Sequence, residues 1–306
     1  MNISVASSSL VSLPIIRAIQ HSEHKLVSII SNPDRKSGRG LKVTPNELAD
    51  WAHTQGLEVA KPNDNSELNR HLLAAQPQLI VTVAYGRLIP VELLHGPRFG
   101  WLNIHYSLLP RWRGAAPVQW AILSGDLETG VSIFKLDKGM DTGPVYAQER
   151  SPLGERERTE DVLSRLSQSA GQLLPEVLSM ITSGIKPKAQ PLVGSTLAPK
   201  ISKEMGRIDW TKSSPEIIRL DLALGVQPGI WTEIKGERVV LHGLEIAEDF
   251  PSLGEAGAIS FVDGMLLVQS GTGALKVSEV TPSGKKRMSG SDFFRGARLD
   301  AGSRCE

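Results

Sequence analysis

The chain has 306 residues, of which 40% are hydrophobic and 22% charged, and its formal net charge is +1. This composition argues against a disordered or fibrous protein and allows two domains. A nucleic-acid surface would have to concentrate its basic residues locally, because the net charge supplies no steering field. The single cysteine, Cys305, excludes an intrachain disulfide and a cysteine-based zinc cluster. No apolar run approaches the roughly 20 residues that span a bilayer and no signal peptide is visible, so we expect a cytoplasmic protein without a membrane partner.

Short apolar runs alternate with helical patterns in the first half of the chain. The pattern predicts helices over 14–20, 45–55 and 66–75, between strands over 2–7, 25–31, 57–62, 78–86 and 101–105. Such alternation favours an α/β fold with a mainly parallel sheet. Further strands are predicted over 129–137 and 143–149. A long helix is predicted over 159–181, with Thr159 as its N-cap and a kink or break at Pro175.

The sequence pattern changes after this helix. A stretch with Pro, Gly and Lys shows no sustained periodicity and reads as a linker. Beyond it, short alternating runs are separated by Lys235-Gly236, Asp263-Gly264 and the Gly271–Gly273 turn. This pattern indicates a meander of hairpins, which a small β-barrel would close. We therefore expect domains over 1–183 and 206–306, joined by a linker over 184–205.

Polar residues interrupt the apolar strand in LNIHYSLLPRWRGAAP. Asn103 and His105 are two apart and therefore share a strand face, at the C-terminal strand end where open α/β sheets bind ligands. In KLDKGMDTGP, Asp141 lies on a glycine-flanked turn, from which its carboxylate could reach the imidazole of His105 and hold its tautomer. Taken singly, each residue also has an ordinary structural explanation, as a satisfied histidine or a turn aspartate.

Other chemical motifs are missing from the sequence. It contains no P-loop, no G-x-G-x-x-G and no H-E-x-x-H pattern, so a phosphate cradle and a hydrolytic metal site have no support. The stretch DRKSGRGLK, residues 34–42, places four basic residues around two glycines. It suits either a solvated loop or a loop that orders on phosphates.

Six segments together resemble the methionyl-tRNA formyltransferases over nearly the whole chain. They are LNIHYSLLPRWRGAAPVQWAI, LDKGMDTGPV, NPDRKSGRG, VAYGRLIP, APKISKEMGRIDW and SGKKRMSGSDFFRG. The resemblance implies a Rossmann-like formyltransferase domain followed by an OB-like barrel. It also implies formyl transfer from 10-formyltetrahydrofolate to the α-amine of initiator Met-tRNA for translation initiation, without a metal and by a monomer.

The resemblance also implies roles for individual residues. Asn103, His105 and Asp141 would be catalytic, and the folate would lie against Tyr85, Gly86, Leu88, Ser107, Leu108, Leu109 and Pro110. The tRNA would bind to Arg39, Lys42, Lys200, Lys203, Lys285, Lys286 and Arg287. These side chains suit the reaction, since an amide and an imidazole can stabilise an oxyanion and a histidine can accept the proton of the amine.

One segment departs from the family pattern, and three other functions stay open. The first strand of the family usually ends in a Gly-Thr-Pro turn, where this chain has Ser7-Ser8-Ser9, so the pocket for the methionyl end is in question. An amino sugar on a nucleotide is an alternative formyl acceptor. Hydrolysis of formyltetrahydrofolate and non-catalytic RNA binding are the others.

Overall fold

The computed structural model describes residues 1–37, 42–248, 250, 254–300 and 302–306, with only the backbone for 35–37 and 42–44. Residues Met1–Val118, Leu127–Leu153 and Glu160–Pro199 form one compact unit. Gln119–Asp126, Gly154–Thr159 and Lys200–Glu306 form a second.

The elements up to residue 199 are a mixture of strands and helices. The strands are β1 (Asn2–Ala6), β2 (Lys25–Ile30), β3 (Arg35–Ser37), β4 (Lys42–Thr44), β5 (Val59–Ala60), β6 (Leu79–Thr82), β7 (Trp101–His105), β8 (Arg113–Gly114), β9 (Glu128–Lys135), β10 (Val145–Pro152) and β11 (Leu197–Ala198). The helices are α1 (Leu13–Gln20), α2 (Glu47–Thr54), α3 (Asn65–Ala75), α4 (Val91–Leu94), α5 (Pro117–Leu123) and α6 (Thr159–Thr182). Side chains cap two of these helices, since Asn46 accepts from the backbone of Ala49 and Asp64 from that of Glu67.

The main sheet of the first unit has the strand order β10-β9-β7-β6-β1-β2-β5. Strands β5, β2, β1, β6 and β7 pair in parallel, while β9 and β10 run antiparallel at one side. The inner strands are apolar and fully buried, as at Ile3, Val5, Leu79 and Val81, which is typical of a sheet covered on both faces. The predicted mainly parallel sheet is confirmed.

Two predicted strands are clearly shorter in the structure. Strand β6 ends at Thr82 rather than 86, because Ala84 has a φ of +47° and turns the chain out of the extended conformation. Only Val59–Ala60 of the predicted strand over 57–62 pairs in the sheet. Helix α6 agrees with the long helix predicted over 159–181. Of the kink or break predicted at Pro175, the break does not occur, because the buried apolar side of the helix outweighs the lost hydrogen bond.

The second unit contains an antiparallel sheet of the order β12-β13-β16-β15-β14, with β17 paired to β16. Its elements are α7 (Ser214–Leu224), β12 (Ile230–Ile234), β13 (Glu237–Ile246), β14 (Ile259–Val262), β15 (Met265–Gln269), β16 (Ala274–Pro282), β17 (Met288–Ser289) and α8 (Gly290–Gly296). The hairpin turns fall at the three predicted breaks. Short 3₁₀ helices lie at Leu10–Ser12 and Glu204–Gly206.

The C-terminal residues close this sheet into a small barrel. Cys305 forms a bridge with Ile234 of β12, and Arg304 forms one with Ala258, next to β14. The backbone of Glu306 exchanges two hydrogen bonds with Glu233, and the amide of Cys305 donates to Gly257. Because β12 and β14 are the two edges of the sheet, the tail pairs both edges, and the predicted barrel is confirmed.

Candidate active site

Asn103 and His105 lie at the C-terminal end of β7, as predicted, between β6 and β9. Strand geometry places both side chains on one face of the sheet. In register, Asn103 is opposite Thr82 on β6 and Phe134 on β9. The sheet therefore supplies a rigid base for the amide and the imidazole.

The imidazole of His105 is buried and held at one nitrogen. Its exposed fraction is 5%, and Nε2 lies 2.8 Å from the carbonyl oxygen of Trp112. A carbonyl only accepts, so Nε2 carries the hydrogen and Nδ1 keeps its lone pair. Burial lowers the pKa of His105, and the Asp141 charge and the Trp112 carbonyl oppose this only in part. The ring is consequently a neutral base with Nδ1 as the basic atom.

Asp141 approaches the free nitrogen of His105. Its Oδ2 lies 3.8 Å from Nδ1 of His105 and accepts a hydrogen bond of 2.8 Å from the amide of Gly114. The first distance is too long for a direct hydrogen bond, so the carboxylate acts on the ring through its charge. Fixing the tautomer, which the sequence suggested for Asp141, is instead the role of the Trp112 carbonyl.

A threonine orients the amide of Asn103. The hydroxyl of Thr82, which is buried, lies 2.8 Å from Oδ1 of Asn103 and 2.9 Å from the carbonyl oxygen of Leu102. The hydroxyl has a single hydrogen, and when it is donated to Oδ1, the Nδ2 hydrogens are the donors that Asn103 can offer to a ligand. Thr82 has no signal in the sequence beyond one hydroxyl in the apolar run LIVTVAY.

The loop over 107–110 is braced from strands β9 and β10. Ser132 on β9 donates to the Ser107 carbonyl at 2.6 Å and accepts from the amide of Leu109 at 3.1 Å. Gln148 on β10 donates to the Leu109 carbonyl at 2.9 Å and to Ser132 Oγ at 2.8 Å. The hydroxyl of Ser107 donates to the Arg111 carbonyl. Ser107 and Leu109 are buried while Leu108 and Pro110 are half-buried, so the latter two are the more accessible of the four folate contacts predicted in this loop.

The segment after β6 turns sharply, and some of its residues are exposed to solvent. Tyr85 is buried, whereas Gly86, with a φ of +68°, and Leu88 are exposed. The Tyr85 carbonyl accepts a hydrogen bond of 2.5 Å from the side chain of Asn32. Asn32 follows β2 and was not singled out in the sequence.

The triple-serine turn after β1 belongs to the same network. The side-chain amide of Asn32 also donates to Ser8 Oγ at 2.9 Å, and Ser31 Oγ donates to the Ser7 carbonyl at 2.7 Å. Ser9 caps the 3₁₀ helix that follows. The departure from the family's turn is thus an ordered, hydrogen-bonded loop at the C-terminal ends of β1 and β2.

The predicted tRNA contacts lie apart from these residues in sequence. Lys200, Lys203, Lys285 and Lys286 have exposed side chains. Arg287 is exposed and forms an ion pair with Glu279. Arg39 lies outside the described residues, and for Lys42 only the backbone, at the start of β4, is described.

Residues of the predicted linker contact the segments over 112–114 and 141–143. Leu197–Ala198 (β11) pairs in parallel with Arg113–Gly114 (β8). Thr196 Oγ1 accepts a hydrogen bond of 2.9 Å from the Trp112 amide. The side chain of Gln190 bonds to both the Asp141 loop and Arg113. These contacts could not be predicted from the sequence, because the linker has no periodic pattern of apolar residues.

The described residues include no group of three or more His, Cys, Asp or Glu side chains that could hold a metal ion. No helix in the described ranges is long and apolar enough to cross a membrane.

Comparison with known proteins shows the family to which the chain belongs. Residues 1–178 match the model of the formyl transferase family, and residues 200–298 match that of the formyl transferase C-terminal domain. The methionyl-tRNA formyltransferase of Salinispora arenicola is 38% identical over 99% of both chains, and that of Thermobifida fusca is 37% identical over the same shares. The chain belongs to the methionyl-tRNA formyltransferase family.

A solved structure of this family has the same fold. The methionyl-tRNA formyltransferase from Clostridium thermocellum superposes with a TM-score of 0.58 and 18% identity, over 82% of this chain and 95% of that one. HypX from Aquifex aeolicus, in complex with tetrahydrofolic acid, superposes with a TM-score of 0.67 and 20% identity, over 96% of this chain and 47% of that one.

Proposed function

We propose that this protein transfers the formyl group of 10-formyltetrahydrofolate to the α-amine of methionine on initiator tRNA. The names of the full-length relatives support this reaction, and the folate bound to HypX supports the class of donor. The observation that carries the mechanism is the buried, neutral imidazole of His105, whose Nδ1 faces Asp141. A cytoplasmic, monomeric enzyme is part of the proposal.

The residues near the strand ends fit a folate. The exposed backbone and apolar side chain between Gly86 and Leu88 suit a flat ring with polar edges, as does the half-buried Leu108. The bound donor supplies an activated formyl carbon. No acidic pair or metal set would be needed to activate it.

His105 accepts a proton in this mechanism. A free α-amine has a pKa near about 8, so its neutral form is available without strong activation. As the amine nitrogen bonds to the formyl carbon, Nδ1 of His105 takes the proton that this nitrogen loses. The Asp141 carboxylate then stabilises the imidazolium by its charge, and the proton is passed on to the departing nitrogen of the donor.

Asn103 stabilises charge on the oxygen of the formyl group. Its Nδ2 hydrogens donate to this oxygen as negative charge develops there, and Thr82 keeps the amide in the required orientation. Loss of one such donor typically slows a reaction by about 10²–10³. Positioning of the two substrates accounts for much of the remaining acceleration.

An assay with purified protein tests the proposed reaction. Labelled formyl donor is supplied with charged initiator tRNA, with free methionine, with a nucleotide amino sugar, or with no acceptor. We expect transfer to Met-tRNA alone. Transfer to the sugar or release of formate without an acceptor would establish one of the alternative enzymes, and tRNA binding without turnover would establish a binding protein.

His105→Ala tests the catalytic assignment. We expect formyl transfer to fall roughly a hundredfold or more, because proton transfer by a positioned base contributes about 10²–10⁴. Binding of the folate, measured by fluorescence titration, should survive. Near-normal turnover would contradict the role of His105.

A further inference from the structure

Gln190 clamps the loop that carries Asp141. Its side-chain Nε2 donates to the carbonyl oxygens of Asp141 and Gly143, each at 2.8 Å. Asp141 has a φ of +53°, a left-handed conformation that is unfavourable for residues other than glycine. Strained backbone of this kind persists where its surroundings hold it, and two hydrogen bonds from one amide do so here.

The other end of the same amide holds Arg113. Oε1 of Gln190 accepts from Nε and Nη2 of Arg113, at 3.1 and 2.6 Å, while Nε2 faces only carbonyl oxygens. A guanidinium only donates and a carbonyl only accepts, so the orientation of the amide is determined. All four hydrogen-bonding positions of the side chain are used.

Arg113 lies between the two backbone groups that hold the catalytic pair. The preceding residue, Trp112, accepts the hydrogen bond of His105 Nε2, and the following residue, Gly114, donates to Asp141 Oδ2. Gln190 therefore ties the segment that orients His105 to the backbone that carries Asp141. This tie adds to the direct hydrogen bond from the Gly114 amide to the Asp141 carboxylate.

We propose that Gln190 is a positioning residue for formyl transfer, which sets the separation between Asp141 and His105. This inference rests on the catalytic roles under the proposed function. It assigns to Gln190 no contact with either substrate, so its effect should fall on the rate of the chemical step.

The first test compares Gln190→Leu with Leu192→Ala, a control in the same segment whose side chain is 99% exposed. Misplacement by about 1 Å can cost up to 10² in rate. For Gln190→Leu we expect kcat at least about tenfold lower, with KM for Met-tRNA and for the folate donor within about twofold of wild type. The control should match wild type. Unchanged kcat, or a loss confined to KM, would overturn the inference.

Gln190→Glu provides a conservative variant. It keeps the acceptor for Arg113 but places a carboxylate oxygen against two carbonyls, so we expect a loss of kcat similar to that of Gln190→Leu. If Gln190→Leu proves unfolded by circular dichroism, Gln190→Glu carries the test with the same criteria. Wild-type turnover by this variant would contradict the clamp on Asp141.

A double-mutant cycle separates positioning from general stability. Once Asp141→Ala has removed the carboxylate, Gln190→Leu should lower kcat by less than about twofold further, because residues that act as a unit are non-additive. Fully additive losses would overturn the inference. If Asp141→Ala alone left kcat unchanged, the proposed catalytic pair would fail instead.

Discussion

Two groups act on different nitrogens of His105. The Trp112 carbonyl holds Nε2 at 2.8 Å, while the Asp141 carboxylate faces Nδ1 at 3.8 Å without a direct hydrogen bond. A backbone carbonyl therefore orients the imidazole ring, while a carboxylate side chain acts on the ring through its charge. Burial dominates the balance and lowers the pKa of the ring, so the ring stays a base in mildly acidic solution.

The pH dependence of turnover should reflect this balance. Protonation of His105 removes the base, and its pKa lies below the usual value of about 6.5, so kcat should fall on acidification with a midpoint below that pH. In Asp141→Asn the charge that raises the pKa is lost, so the midpoint should move to still lower pH while the plateau falls. Profiles of kcat at saturating substrates check this. Asp137→Asn, an exposed carboxylate in the same loop, is the control, and a shift of the Asp141→Asn midpoint to higher pH would contradict the account.

Thr82→Val tests the orientation of Asn103. The change keeps the side-chain shape but removes the hydroxyl that faces Oδ1 of Asn103, so we expect kcat to fall about tenfold, a part of the cost of losing an oxyanion donor. Thr129→Val is the matched control, because the Thr129 hydroxyl is buried and has no partner among the described residues. It should leave kcat unchanged and the free energy of unfolding within about 1 kcal/mol. Equal kcat in the two variants would remove Thr82 from the site.

At the scale of single residues, the sequence predicted that Asn103 and His105 lie at the end of a strand, but not which groups hold them in place. Asn103 and His105 interrupt an apolar strand, which costs free energy unless the polar groups are satisfied, and that conflict made them visible. A backbone carbonyl such as that of Trp112 leaves no mark in the sequence. Gln190 is 49 residues from Asp141 along the chain, and no periodic pattern links residues so far apart.

Among the elements, those with a strong apolar period were predicted well. Strand β7 spans the five predicted residues, and α6 begins at the predicted Thr159. Strand β6 ends earlier than its apolar run, because backbone conformation at Ala84, rather than hydrophobicity, ends it. The two-residue pairing of β8 with β11 is too short to have a period at all.

Cys305 is a natural reporter for the tail that closes the barrel. Burial raises the pKa of its thiol to about 12. While the tail is paired, a reagent therefore cannot reach the sulfur and the reactive thiolate does not form. We expect a thiol reagent at about pH 8 to label the native protein at least about a hundredfold more slowly than the urea-unfolded protein, since labelling requires local opening. Leu192→Cys in a Cys305→Ser background should label at once. Rapid labelling of native Cys305 would contradict the closed barrel.

At the scale of the molecule, the C-terminal residues carry no overall excess of positive charge. Residues 196–306 contain 14 Lys and Arg against 15 Asp and Glu. The exposed Lys285 and Lys286 lie in the turn between β16 and β17, next to an arginine that is already paired with Glu279. Binding of a tRNA by this unit would therefore depend on a few positions.

The double change Lys285→Glu and Lys286→Glu tests this dependence. Each lost phosphate contact removes about 0.7–0.9 from the slope of log affinity against log salt. We expect a KM for Met-tRNA several-fold higher and a shallower salt dependence, with kcat at saturating tRNA preserved. Lys25→Glu with Lys186→Glu, two exposed lysines elsewhere, controls for net charge. An identical KM in both double variants would exclude these two lysines from tRNA binding.

The late position of Gln190, Thr196 and Ala198 sets a minimum length for an active fragment. A polypeptide truncated after Thr182 would retain Asn103, His105 and Asp141 and the whole main sheet. It would nonetheless lack the amide that restrains the aspartate turn, the hydroxyl that receives the Trp112 N–H, and the strand paired to Arg113–Gly114. Ending the polypeptide after Pro199 restores all three, so trimming experiments should find the boundary of catalytic competence well past the last helix of the first unit.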